Sequence, residues 1–130
     1  MSGVCANYDS LVDIIHEPDV MAQLPRGAHQ ISYWYMPHGG LYEFTIPMQL
    51  DDFLAWAESL GWTHDQVNGA KRKEMSLLRY SIQDVDGSPT LMQIDFGYDL
   101  QRERTEGRPK SLQIDYDIAA CQAYVQLYRW

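Results

Sequence analysis

Basic residues are almost absent from the first half of this chain. Positions 1–65 hold nine acidic residues (Asp9, Asp13, Glu17, Asp19, Glu43, Asp51, Asp52, Glu58, Asp65) against one cation, Arg26. The 130-residue chain carries a net charge of −8, so all of the excess lies in that half. A surface of this sign repels phosphate backbones, which argues against direct nucleic-acid binding. Cysteine is scarce as well. Cys5 and Cys121 are the only two, too few for a disulfide framework and not spaced as a zinc site. No apolar run reaches the roughly 18 residues of a membrane helix. The start, MSGVCANYDS, has neither the basic nor the apolar stretch of a secretory signal. These absences predict a cytoplasmic protein that has no membrane contact and needs no metal or cofactor.

What is present suits one packed domain over residues 1–130. Hydrophobic residues make up 45% and charged residues 22%, which removes the low-hydrophobicity, high-charge signature of disorder. Leu11, Ile14 and Ile15 recur at helical spacing, which predicts helix over 7–24, interrupted at Pro18. Residues 30–47 read as a β-hairpin around Pro37-His38-Gly39-Gly40. A four-residue loop pairs Tyr35 with Tyr42 and Tyr33 with Phe44. One face then holds Ile31, Tyr33, Tyr35, Tyr42, Phe44 and Ile46, and the other Ser32, Trp34, Met36, Leu41, Glu43 and Thr45.

Residues 49–60 form the clearest helix, with Leu50, Phe53, Leu54, Ala57 and Leu60 in one stripe. Asp51 and Asp52 fall in its first turn, where the helix dipole favours negative charge. Gly61 is placed to end it, with Trp62 packing back on the last turn. Residues 63–74 read as a connection with room for one helical turn. Three strands are expected near 76–83, 90–97 and 111–117, with Leu78, Tyr80 and Ile82 inward and Arg79 outward. Asp86-Gly87 marks the first turn between them, and 98–110 reads as a long charged loop. Residues 118–130 fit a final helix, because Ile118, Cys121, Val125 and Tyr128 share a stripe after an alanine-rich start. The expected fold is α+β: one antiparallel sheet of about five strands with helices packed on one face, in the order α-ββ-α-βββ-α.

No motif specifies chemistry. His38-Gly39-Gly40 resembles an esterase oxyanion loop but has no G-x-S-x-G elbow to serve. Asp84-x-Asp86-Gly87 opens like a calcium loop but lacks the later ligands. Asp95, Asp115 and Asp117 fall on the outer positions of adjacent strands. There they form a candidate carboxylate cluster for a small enzyme or small-molecule site, with Arg79 placed to neutralise Asp95. Neither cysteine shows a placed base. Lys71-Arg72-Lys73 lacks the phosphate-loop spacing.

The leading expectation is a non-enzymatic protein-binding module that engages a basic protein surface. It is an inhibitor, adaptor, immunity-type protein or chaperone, and a second copy of the chain is the other partner class. The residues assigned to binding are Asp51, Asp52 and Glu58 on the outer side of the helix, Trp56 at its edge as an anchor, and Trp34 on the polar face of the hairpin.

Overall fold

The computed structural model describes residues 1–36, 38, 40–80, 88–103 and 110–129. Seven strands form a single antiparallel sheet: β1 (Ser2–Asn7), β2 (His29–Tyr35), β3 (Leu41–Pro47), β4 (Lys71–Arg79), β5 (Thr90–Glu103), β6 (Lys110–Asp117) and β7 (Gln122–Arg129). Their spatial order is β1-β2-β3-β7-β6-β5-β4. The described residues also form four short helices: α1 (Tyr8–Val12), α2 (Pro18–Met21), α3 (Leu50–Ser59) and α4 (His64–Gly69).

This overturns the expected five-stranded α+β fold and its order α-ββ-α-βββ-α. The chain begins with a strand, and only two short helices stand where 7–24 was expected to be helical. It ends in β7 rather than a helix, and β7 pairs with both β3 and β6 at the centre of the sheet. The expected 98–110 loop is strand as far as Glu103. The turn at 84–87 and the segment 104–109 lie outside the described residues.

The hairpin register is as expected: Tyr35 pairs with Tyr42, Tyr33 with Phe44 and Trp34 with Glu43. Tyr35 and Tyr42 also stack, with centroids 5.8 Å apart. Following the ladders across the sheet gives rows. Tyr33, Phe44, Val125, Ile114 and Leu100 form one row, and all join the main hydrophobic cluster with Leu11, Val20, Phe53, Trp56 and Val67 from the helices. The alternate row runs Trp34, Glu43, Gln126, Gln113, Gln101, and the next of that set Ser32, Thr45, Tyr124, Asp115, Asp99. Because side chains alternate, one face of the sheet is apolar under the helices and the other is polar.

The polar face is covered by its own sheet. β5 pairs with β6 only from Gly97 to Glu103, while its first part pairs with β4 alone. The β4–β5 hairpin is therefore an arm. Met75, Leu77 and Ile94 from the arm pack on Tyr124 of the polar rows, so the arm lies over that face. Gly97 sits at the bend, where a Cβ would meet Tyr116 O at 2.0 Å. Only glycine permits that approach. The arm's inward set is Met75, Leu77 and Arg79, all buried, whereas Leu78 is 60% exposed. The expected alternation in β4 is thus inverted, because the arm's inner face looks onto the sheet it covers.

α3 closes as expected. Gly61 takes φ 99°, its N–H donates to Glu58 O at 2.9 Å and the Trp62 N–H donates to Ala57 O at 3.2 Å, the paired bonds of a Schellman end. α4 opens on a reciprocal capping box between Thr63 and Gln66.

Candidate functional site

Three places carry concentrated polar chemistry, and the front of α3 is the first. Asp51, Asp52 and Glu58 are exposed, and no cation among the described residues forms an ion pair with any of them. Asp51 and Asp52 lie in the first turn, where the N-terminal dipole offsets part of their charge. Trp56 does not belong to this front. It is 6% exposed, packs edge-on to Phe53 and donates its indole N–H to Gln23 O at 3.0 Å. The anchor assigned to Trp56 is therefore withdrawn. Trp56 instead joins the main hydrophobic cluster beside Ala57, and its indole N–H finds a backbone acceptor at Gln23, in the segment after α2.

Beside the N-terminal end of α3 lies a cavity of about 540 Å3. Pro25, Ala28, Ile46, Pro47 and Met48 supply apolar wall; Asp52, His29, Gln49 and Cys121 supply polar groups. Cys121 is a free thiol, held at φ 52°, with Sγ 3.7 Å from Ile118 O. Its neighbour Tyr116 donates to Met48 O at 2.8 Å. Burial and the adjoining Cys121 push the Tyr116 hydroxyl up to about 12.

The arm-side face holds the second place, a buried ion pair. Glu43 is 1% and Arg79 7% exposed, with Nε and Oε2 3.9 Å apart. Arg79 donates to Val125 O at 2.9 Å and Phe44 O at 2.8 Å and lies over the Tyr124 ring. Glu43 accepts from the Tyr80 N–H at 2.7 Å and the Gln126 amide at 2.6 Å. Burial pulls the Arg79 guanidinium below its ordinary value, and Glu43 and Asp115 work against that. Removing one partner of such a pair typically costs about 3–5 kcal/mol, so Arg79 pins the arm to the sheet. Trp34 stacks on Tyr80 at 4.2 Å and lines a cleft of about 330 Å3 over this pair. Trp34 is half-buried and turned toward the arm, away from the α3 front.

The third place is a carboxyl pair. Asp115 is 2% exposed and faces Asp99 across the β5–β6 ladder. Gln113 donates to its Oδ2 at 2.8 Å, and Oδ1 is buried without a hydrogen-bond partner. Burial first, and the Asp99 charge second, raise its pKa from 3.8 to about 7.

The expected Asp95–Asp115–Asp117 cluster is not assembled. Asp95 is exposed on the arm, beyond the part of β5 that pairs with β6. Asp117 caps the next turn, accepting from the Ala119 and Ala120 N–H groups at 3.0 and 3.2 Å. Arg79 is bound to Glu43 and backbone carbonyls. Among the described residues no group of three or more His, Cys, Asp and Glu could hold a metal ion. No described helix is long and apolar enough to cross a membrane.

Sequence reasoning missed Glu43 and Arg79 as a pair. The available signal was a lone acid inside an aromatic strand, but its partner lies 36 residues away. The cavity was missed because its walls come from the 25–29, 46–52 and 120–121 segments, which no spacing rule connects. Comparison with protein-family models, curated proteins and solved structures finds no match for this chain.

Proposed function

We propose that the chain is a protein-binding module, of the inhibitor, adaptor, immunity or chaperone kind, that engages a basic protein surface through the front of α3. The observation that supports this is the set of three exposed carboxylates, Asp51, Asp52 and Glu58, on one rigid helix with no paired cation among the described residues. A patch without paired cations accelerates encounter with an opposite charge, an effect that weakens with salt. The free thiols Cys5 and Cys121 suit the reducing cytoplasm, the compartment this reading assumes.

The test starts with affinity isolation from the native host using wild type and the Asp51→Lys/Asp52→Lys/Glu58→Lys variant. Association rates of the recovered partner are then measured at low and high salt. The variant should associate at least tenfold more slowly at low salt, and the difference should shrink at high salt. Equal rates in all four conditions would remove the reading.

A further inference from the structure

The acidic front attracts but offers no anchor, since Trp56 is buried. Binding energy in protein interfaces concentrates where one side chain fills a pocket. With no projecting aromatic, the pocket belongs on this chain and the side chain on its partner. The 540 Å3 cavity adjoins the front and shares Asp52 with it.

We propose that the cavity at the N-terminal end of α3 receives a lysine or arginine side chain of the basic partner, with its head at Asp52. The proposal rests on the protein-binding reading above. Ile46, Pro47, Met48 and Pro25 form an apolar wall suited to the methylene stem that Lys and Arg both carry below the charge. Among the described lining residues Asp52 is the one carboxylate, and none is Lys or Arg. An anionic side chain would meet Asp52 with Asp51 beside it, at a like-charge cost. A purely apolar side chain would gain nothing from the carboxylate. A stem with a cation at its tip satisfies both walls.

Cys121 lines the same cavity and reports its occupancy, while Cys5 is 4% exposed and serves as the silent thiol. Carbamidomethylation of Cys121 by iodoacetamide, a neutral reagent, is timed by mass spectrometry. The probes are N-acetyl-arginine amide, N-acetyl-norleucine amide and N-acetyl-glutamate amide, each at millimolar concentration. The arginine probe should slow modification several-fold, the norleucine probe less than twofold, and the glutamate probe not at all. Asp52→Asn should erase the difference between arginine and norleucine. Ala120→Trp, placed at an exposed lining position, should make the rate insensitive to every probe. No protection by arginine, or equal protection by arginine and glutamate, overturns the proposal.

A second measurement separates this from the reading beneath it. Binding of fluorescein-labelled oligolysine is compared between Asp51→Lys/Glu58→Lys and the charge-matched Asp9→Lys/Asp13→Lys chain, all four positions being exposed. Weaker binding only in the first chain, without Cys121 protection in the wild type, removes the cavity and keeps the front. Equal binding in both chains, with protection intact, removes the front and keeps the cavity as a cation site.

Discussion

Asp115 and Asp95 stand in the same short phrase, Gln-Ile-Asp followed by an aromatic, at 113–116 and 93–96. Yet Ile114 enters the main core and Ile94 the arm cluster, while Asp115 is buried and Asp95 exposed. Alternation told which side chains share a face, but it could not tell which face the arm would cover. For the same reason Arg79 was placed outside and Leu78 inside.

Asp115 has a measurable consequence. Its folded pKa, about 7, stands above the ordinary 3.8. Between those values the folded chain holds a proton that the unfolded chain has released. Stability from this group is therefore greatest at low pH, declines as pH rises from about 4 to about 7, and levels off above. Three pH units at about 1.4 kcal/mol each put the scale on the order of 4 kcal/mol. Asn at 115 cannot ionise and keeps a donor toward Asp99. Asp115→Asn should thus gain stability over wild type progressively from about pH 4 to about pH 7, with the difference constant above, read as the difference in denaturant-derived stability. A difference that stays constant with pH would show that Asp115 does not hold this proton.

At the level of elements, the legible parts were those whose signal is local. The 30–47 hairpin is fixed by a turn and two clean faces, and α3 by its stripe and Gly61, and both formed as expected. β1 was illegible because Cys5 is its one buried residue, leaving no alternation to detect. β5 was cut short because residues 98–110 read as a long charged loop. Asp99 and Gln101 are in fact the polar-face positions of a strand whose other side carries Tyr98 and Leu100 into the core. The bend that separates the two roles of β5 depends on Gly97. Gly97→Ala puts a Cβ 2.0 Å from Tyr116 O and 2.9 Å from Met75 Cε. The first contact is backbone and cannot swing aside, so the cost should reach about 3 kcal/mol or more. Gly69→Ala is the matched control. Nothing lies within 4 Å of its added Cβ, and alanine in the last turn of α4 should be neutral or stabilise by up to about 1 kcal/mol. Thermal and urea unfolding of the two variants decides this. Equal stabilities would mean that the arm does not bend tightly at Gly97.

The whole molecule hangs on the segment that was hardest to assign. Residues 122–129 have a sequence that serves either as helix or as strand, and only tertiary pairing selects between them. That pairing is complete on both sides: Gln122–Tyr128 lies against Leu41–Pro47, and Gln122–Arg129 against Lys110–Asp117. β7 is thus the seam between β1–β3 and β6–β5–β4, two groups with no other ladder between them among the described residues. It also gives Ala123, Val125 and Leu127 to the main cluster and Val125 O to Arg79. A chain ending at Cys121 would keep two three-stranded pieces, each with a fresh row of unpaired N–H and C=O groups. Each would also lack part of the apolar layer that a small sheet needs to stand alone. Such a chain should show no cooperative thermal transition and should bind a dye that detects exposed apolar surface. A sharp melt retained by the truncated chain would show that one of the two pieces folds by itself. Because β7 follows both of its partners in the sequence, the sheet cannot close before β7 is in place. Until then the edges of β3 and β6 stay open to wrong partners.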